Sequence, residues 1–202
     1  MSIEDDPVLA EAARPVGVSQ PPREVESDKP SGLRNVVEWI VIAGGALLVA
    51  FVIKTFLLQA FYIPSLSMAP TLKINDRVLV NKVTYDLRDI RRGELIVFES
   101  PPDEGTATRD LIKRVIGLPG ETIESRDGKI VIDGRVLDEP YLDAGVVTGP
   151  VEKITVPPKH LWVMGDNRPN SRDSRFFGAI PESLIIGRAF VRVWPVTALG
   201  LL

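Results

Sequence analysis

The chain has 202 residues, of which 45% are hydrophobic and 25% are charged, and its formal net charge is -3. Domains commonly have about 100 to 200 residues, so this length supports one folded domain with appendages. Residues 1–34 contain four basic and seven acidic side chains, which account for the whole net charge. The balanced charge of the remainder argues against a nucleic-acid-binding surface, and we expect no nucleic-acid partner.

The scarcity of two residue types restricts the possible chemistry. Cysteine is absent, which excludes disulfides, a thiol nucleophile and thiolate metal ligands. The chain has one histidine, His160, whereas zinc sites normally use several His or Cys ligands. If the protein is a hydrolase, we therefore expect a base other than histidine, with neither metal nor cofactor. We expect His160 to be structural or exposed.

The N-terminal residues 1–34 are rich in proline, glutamate, aspartate and serine and show no apolar periodicity. A segment of this composition cannot bury enough surface to offset the conformational entropy of the chain. We predict a disordered tail.

The next segment is the most hydrophobic part of the chain. Residues 39–53 contain no charge, and the apolar character continues to Ile63. Crossing a bilayer takes about 20 apolar residues, so we predict a transmembrane anchor over residues 35–60, with a buried core helix as the alternative. The sequence LLQAFYIP lacks a small-x-small cleavage site, so the anchor should be retained. The flanking basic residues slightly favour an N-terminus on the inner side.

From Arg77 onward the pattern changes to short β-type runs separated by PP, PG, DG and GP. The dipeptides Asp127–Gly128 and Asp133–Gly134 are typical of tight hairpin turns. We predict a mainly β, antiparallel, barrel-like or sandwich domain over residues 61–202. The predicted strands lie within RVLVNKV, GELIVFES, DLIKRVIGL, TIESRDGKIVIDGRVL, KITVP, LWVMG and LIIGRAFVRVWP.

Several familiar catalytic motifs are missing: the chain has no GK[ST] phosphate loop, no GxSxG elbow and no HExxH. A serine nucleophile would then need a lysine or carboxylate base, and lysine serves only when burial keeps its amine neutral. In DLIKRVIGL, strand alternation puts Lys113 and Arg114 on opposite faces. Either one could be the inward residue, but only the lysine could act as a base.

Four segments of the chain resemble motifs of the type I signal peptidase (leader peptidase) family and occur in the same order as in that family. YIPSLSMAPTL is similar to its serine motif, NDRVLVNK to the strand that follows, LIKRVIGLPGE to its lysine motif, and GDNRPNSRDSRFFG to its late polar loop. The similarity extends from the predicted anchor nearly to the C-terminus. Four collinear motifs are far more specific than any one of them.

The resemblance implies a set of catalytic roles. Ser67 would be the nucleophile and Lys113 the general base. The backbone N–H of Ser67 and the hydroxyl of Ser65 would form the oxyanion hole. Ser171 would form a hydrogen bond with the lysine amine and orient it.

Further residues of the late loop would brace this site, namely Asp166, Asp173 and Arg175, with an ion pair between Asp173 and Arg175. The sequence departs from the family pattern at two positions. Leu66 stands where glycine is common, which affects the expected substrate specificity, and Pro169 stands where aspartate is common. Neither change removes a catalytic group.

By this resemblance the protein would be a membrane-bound endopeptidase that removes signal peptides from exported preproteins, after small residues of the Ala-x-Ala type. Its partners would be preproteins and membrane lipid. Its tail would be cytoplasmic and its catalytic domain extracytoplasmic, in a bacterial-type plasma (inner) membrane or a thylakoid membrane. The alternatives are another Ser/Lys protease that cleaves itself, and an inactive, membrane-tethered β domain that binds partners.

Overall fold

The structure is a computed structural model that describes residues 32–101 and 110–202. The predicted disordered tail therefore lies outside the described residues, apart from residues 32–34, which are helical. The chain divides into two units, Met1–Ala43 and Gly44–Leu202. All strands and the candidate site belong to the second unit.

The first element is helix α1, Gly32–Val52, followed by a π-helical turn, Ile53–Leu57. Its part from Arg34 to Val52 is long and apolar enough to cross a membrane, and none of that part is buried within the protein. This exposure disfavours the alternative of a core helix. The predicted anchor reached residue 60, but the chain is extended from Leu58 because that residue already pairs with Asn81 in the sheet.

The remaining elements form two antiparallel sheets with short helical connections. The large sheet has the order β1-β2-β11-β3-β4-β9-β10, with β12 paired to β11, and the small sheet has the order β7-β6-β5-β8. The strands are β1 Leu58–Tyr62, β2 Arg77–Asn81, β3 Leu95–Glu99, β4 Asp110–Gly117, β5 Thr122–Arg126, β6 Lys129–Ile132, β7 Arg135–Val136, β8 Ile154–Thr155, β9 His160–Met164, β10 Ile180–Pro181, β11 Ile185–Trp194 and β12 Gly200–Leu201. The helices are α2 Thr84–Leu87 and α3 Ser174–Phe177, with 3₁₀ turns at Arg168–Asn170, Glu182–Leu184 and Val196–Ala198.

The mainly β, antiparallel fold is confirmed, and the large sheet curls into a half-barrel. Each predicted β-type run contains at least one strand. Both predicted hairpin turns are present, because Asp127 and Asp133 have φ of 51° and 49° and the glycines after them also have positive φ. These are the backbone angles that two-residue hairpin turns require.

The segment after β1 is held by the hydrophobic core of the large sheet. Met68 and Leu72 are completely buried in a cluster that includes Ile63 and Val97. Leu66, in contrast, is 44% exposed. Burying one large aliphatic side chain stabilises a protein by about 1.5 to 3 kcal/mol, so Met68 and Leu72 fix the serine segment to the sheet.

We therefore expect Met68→Ala to lower the free energy of unfolding by about 2 to 5 kcal/mol, because it leaves a cavity in this cluster. Leu66→Ala should change it by less than about 0.5 kcal/mol, because an exposed side chain contributes little packing. Denaturant unfolding of the detergent-solubilised protein measures both. Equal losses in the two variants would contradict the role of Met68 as the anchor.

Candidate active site

The serine segment leaves β1 through Ile63 and turns tightly at Ser67. The Ala69 N–H donates to the Leu66 carbonyl at 3.0 Å, and the Leu72 N–H donates to the Met68 carbonyl at 2.8 Å. Ser65 and Ser67 are brought together by this turn, with their hydroxyl oxygens 3.2 Å apart. Ser67 is nearly buried, whereas Ser65 is exposed.

Lys113 lies on β4 and meets this turn from the sheet. Its Nζ donates to Ser67 Oγ at 2.8 Å, although the two residues are 46 positions apart in sequence. Lys113 is only 3% exposed. A distance of this size permits direct proton transfer between a serine hydroxyl and a lysine amine.

The environment of Lys113 favours the neutral amine. Burial lowers its pKa to about 8, against the opposing influence of the Asp173 and Asp166 carboxylates. Within the described chain no carboxylate hydrogen-bonds to its Nζ, and the neutral Ser67 hydroxyl compensates the ammonium charge less than an anion would. At pH 7 about one tenth of the amine is then neutral, whereas an ordinary lysine would be neutral in less than about one molecule in a thousand.

The sequence left open whether Lys113 or Arg114 is the inward-facing residue of β4. In the structure both side chains are buried. Arg114 is 7% exposed and points to the other face of the strand. Its guanidinium donates to Asp166 at 2.8 and 2.6 Å and to the Gly93 carbonyl at 2.7 Å. Both faces of β4 are covered, and among the described residues the arginine, but not the lysine, hydrogen-bonds to a carboxylate.

The late loop, residues 165–178, packs directly on the serine turn. The Asn167 N–H donates to the Ser67 carbonyl at 3.0 Å, and Asn167 Nδ2 donates to the Leu66 carbonyl at 3.1 Å. Gly165 is required for this close approach, since a Cβ at that position would lie 2.4 Å from the Ser67 carbonyl oxygen. Sequence reasoning missed Asn167, whose only signal was its position within the late motif.

Two acids of the late loop are fully compensated by arginines. Asp173 forms the predicted ion pair with Arg175 through two contacts of 2.8 Å, and it also accepts from the Gly165 N–H at 3.0 Å. Asp166 pairs with Arg114 and accepts from Thr71 Oγ1 at 2.5 Å. The ion pair between Asp173 and Arg175 is confirmed.

Ser171 does not make the expected contact with the lysine. Its hydroxyl is buried but hydrogen-bonds to no group in the parts of the chain that the structure describes. Ser171 Oγ instead lies over Gly165, only 2.2 Å from where a Cβ would be. The predicted hydrogen bond between Ser171 and Lys113 is therefore not formed.

The two departures from the family pattern are accommodated locally. Leu66 contributes its backbone carbonyl to Asn167 while its side chain is exposed. Pro169 lies in the 3₁₀ turn Arg168–Asn170, near its start, where proline is tolerated. His160 begins β9, and its Nδ1 lies 2.9 Å from the Pro158 carbonyl oxygen, so it takes no part in the Ser67–Lys113 contact.

A cleft of about 70 Å³ adjoins the reactive pair. Its walls are the end of β1 with the serine segment on one side, and the start of β4 on the other. It is lined by Phe61, Tyr62, Ile63, Pro64, Ser65, Ser67, Val97, Asp110, Leu111, Ile112 and Lys113. Over residues 32–101 and 110–202, no group of three or more His, Asp or Glu side chains is arranged to hold a metal.

A serine hydroxyl in contact with a buried lysine amine, on an antiparallel β fold, is the arrangement that a serine hydrolase with a lysine base requires. Comparison with known proteins gives the family. Residues 36–194 match the family model described as signal peptidase, peptidase S26. The chain belongs to this family, and it is a serine endopeptidase of the signal peptidase I type.

Two relatives that are similar in sequence agree with this assignment. The chain is 46% identical over 162 residues to a probable signal peptidase I-2 of Synechocystis sp., covering 78% of this chain and 72% of the relative. It is 43% identical over 188 residues to a signal peptidase I of Leptolyngbya laminosa, covering 89% and 90%. The crystal structure of a signal peptidase I from Enterococcus faecalis V583 is 33% identical, with a TM-score of 0.43, covering 50% of this chain and 97% of that one.

The contacts of Asn167 generate a prediction. Asn167→Ala removes the side-chain hydrogen bond to the serine turn and should lower kcat/KM by about five- to tenfold, the equivalent of roughly 1 kcal/mol. The matched control is Asn81→Ala, because the Asn81 side chain also bonds a backbone group, the Val83 N–H, but lies outside the site. Steady-state kinetics on a preprotein substrate measures both. An equal loss in the control would contradict a specific role for Asn167.

Proposed function

We propose that the protein cleaves signal peptides from exported preproteins, with Ser67 as the nucleophile and neutral Lys113 as the general base. The observation that carries this proposal is the 2.8 Å contact between Lys113 Nζ and Ser67 Oγ inside a buried environment. A serine hydroxyl becomes nucleophilic only when a base removes its proton, and the lowered pKa of Lys113 supplies such a base.

The reaction is acyl transfer in two halves. Ser67 Oγ attacks the scissile carbonyl carbon while Lys113 accepts the hydroxyl proton. The lysine then gives this proton to the departing amine of the mature protein, and the C–N bond breaks. Water then attacks the ester carbonyl carbon while Lys113 accepts a proton from it. The ester C–O bond breaks and Lys113 returns this proton to Ser67 Oγ, which releases the signal peptide and restores the serine hydroxyl and the neutral amine.

The oxyanion of each tetrahedral intermediate would be bound by the Ser67 N–H and the Ser65 hydroxyl. Two observations support this role. Ser65 Oγ is 3.2 Å from Ser67 Oγ, so both hydroxyls can serve one carbonyl. In addition, the Ser67 N–H donates to no backbone carbonyl of the described residues. One such donor contributes about 3 kcal/mol to transition-state stabilisation.

The acids of the late loop would support the base without protonating it. Asp166 and Asp173 both raise the pKa of Lys113, and each carries a paired arginine, Arg114 or Arg175. An ion pair presents less net charge to its surroundings than a bare carboxylate does. The pairing therefore leaves burial as the larger influence on the amine.

The substrate would be a preprotein with small side chains one and three positions before the scissile bond. The cleft beside Ser67 supports this, because its volume of about 70 Å³ admits only small groups and its walls are mostly apolar. The partners are then the preprotein and the membrane lipid that surrounds the anchor. Leu66, exposed next to the nucleophile, is placed to affect which residues are accepted.

The anchor would place this site at the outer surface of a bacterial-type plasma membrane, with the N-terminus in the cytoplasm. The helix from Arg34 to Val52 is long enough for one crossing. Its polypeptide continues into β1 after only one π-helical turn, Ile53–Leu57, so Ser67 follows closely in sequence. Preproteins that emerge across the same membrane would meet the site there.

The proposal is tested by incubating the purified full-length protein in detergent with a preprotein that carries an Ala-x-Ala site. Wild type should release the mature product, whereas Ser67→Ala and Lys113→Ala should reduce the rate by at least about 10⁴-fold, since each removes a member of the reacting pair. Lys129→Ala is the matched control, because Lys129 is exposed on β6, and it should retain wild-type activity.

Activity that survives in Lys113→Ala would contradict the proposed base. Cleavage of the chain itself, with no preprotein processed, would support a self-cleaving protease instead. Absence of any cleavage by wild type would support a binding domain.

The pH dependence provides a separate prediction. A protonated Lys113 cannot accept a proton, so kcat/KM should fall as the pH drops through the pKa of this residue, at about 8. An ordinary lysine would place that limb near 10.5. Initial rates from pH 5 to 10 measure the profile. A rate that stays constant down to the acid range would identify a different base.

A further inference from the structure

Tyr141 is part of none of the four motifs, yet it contacts residues that support the site. It lies between β7 and β8, which are both strands of the small sheet. The Arg114 guanidinium carbon lies 3.9 Å from the centroid of its ring. Its hydroxyl donates to Glu139 Oε1 at 2.7 Å.

These two contacts connect Tyr141 to two of the buried ion pairs that involve the late loop. One pair joins Arg114 to Asp166, with a closest contact of 2.6 Å. The other joins Arg168 to Glu139 through two contacts, one of them at 3.3 Å, with both side chains nearly or fully buried. Arg168 also donates to the Gly165 carbonyl at 3.0 Å and to Thr148 Oγ1 at 2.7 Å.

The two ion pairs hold the residues on either side of Asn167. Asp166 and Arg168 are its neighbours in sequence, and Asn167 is the residue that hydrogen-bonds to the carbonyls of Leu66 and Ser67. Displacement of either pair would therefore move the late loop relative to the nucleophile. Tyr141 is in contact with one member of each pair.

We propose that Tyr141 is a positioning residue. Its ring holds Arg114 on Asp166, and its hydroxyl holds Glu139 on Arg168. Both ion pairs therefore stay formed, and the late loop stays aligned with the Ser67–Lys113 pair. This inference rests on the proposed roles of Ser67 and Lys113. It gives the small sheet a part in catalysis, because Tyr141 and Glu139 lie on the connection between its strands β7 and β8.

The Tyr141 ring affects how well Arg114 neutralises the Asp166 carboxylate near Lys113. A guanidinium stacked on an aromatic face in a partly buried site is stabilised by the ring quadrupole and shielded from water. Lys113 faces Ser67 from the serine turn and the carboxylates Asp166 and Asp173 from the late loop, both of which raise its pKa. Loss of the ring exposes Arg114 to water and weakens its compensation of Asp166.

The Tyr141 hydroxyl instead affects the orientation of the Glu139 side chain. Burial and the neighbouring Glu139 raise the pKa of Tyr141, so the phenol remains protonated and remains a donor across the working pH range. Without it, Glu139 keeps its bond to Arg168 but loses one restraint on its orientation. Ring and hydroxyl thus have separable effects.

The test compares Tyr141→Leu and Tyr141→Phe in the full-length protein, using kcat/KM on a preprotein from pH 5 to 10 and melting temperature as a folding check. Tyr141→Leu should move the acidic limb upward by about half to one pH unit, because a less compensated carboxylate near Lys113 stabilises the ammonium form. It should lower kcat by about tenfold and change KM less than twofold. Tyr141→Phe should keep the wild-type limb, with kcat reduced by about two- to fivefold.

Tyr85→Leu is the matched control. Tyr85 also donates to a glutamate, Glu94 at 3.1 Å, and has a guanidinium near its ring, that of Arg88 at 5.8 Å. Neither Glu94 nor Arg88 hydrogen-bonds to the late loop within the described residues. This variant should therefore lose stability without a shift in the acidic limb.

Three results would overturn the proposal: a folded Tyr141→Leu with the wild-type pH profile and kcat, a Tyr85→Leu variant with the same shift as Tyr141→Leu, or a Tyr141→Phe variant whose acidic limb shifts. The last remains decisive if Tyr141→Leu does not fold. Failure of the catalytic assignment would be recognised separately, because Lys113→Ala would then remain active. Wild-type activity that depends on Lys113 but not on Tyr141 rejects only the present inference.

Discussion

The contact between the buried Lys113 amine and the Ser67 hydroxyl is the constraint on which the rest of the site depends. Lys113 can serve as a base only while its ammonium form is penalised, and that penalty comes from burial. Burial in turn requires that β4 be covered on the face that meets the serine turn. Met68 and Leu72 provide for this by anchoring the turn in the core, so that Ser67 Oγ is held 2.8 Å from the amine.

A second requirement is that no nearby acid undo the effect of burial. The late loop brings two carboxylates close enough to raise the pKa of Lys113, and each is matched by an arginine. Removing one member of such a buried pair is costly, since an isolated buried charge is left behind. The arginines on β4 and in the late loop therefore affect the electrostatic environment of Lys113, although they do not hydrogen-bond to Ser67 within the described residues.

Much of the fold could be predicted from the sequence because its patterns are local. Alternating apolar runs and the two Asp–Gly turns gave the strands and hairpins, and a long uncharged run gave the helix. The three strands that were missed, β1, β10 and β12, have different causes. β1 continues the apolar run of the anchor, so no change in composition marks it, and the other two have only two residues each.

The candidate site was likewise predicted only in part from the sequence. The motifs placed Ser67 and Lys113 in one predicted site, and the structure brings these side chains into contact and forms the ion pair of Asp173 with Arg175. The bond from Ser171 to the lysine was expected and is not formed, and neither Asn167 nor Tyr141 was anticipated. A hydrogen bond between side chains far apart in sequence depends on rotamers and packing that no linear pattern records.

The sequence by itself thus determined the strand-rich fold, an apolar helix able to cross a membrane, the family, and which residues are chemically able to act as nucleophile and base. Only the tertiary structure decided that both faces of β4 are buried. Periodicity distinguishes the two faces of a strand, but it does not tell which of them other elements will cover. Because both faces are covered, Lys113 and Arg114 are both buried, but in different electrostatic environments. Lys113 has no carboxylate hydrogen-bond partner in the described chain, whereas Arg114 is paired with Asp166.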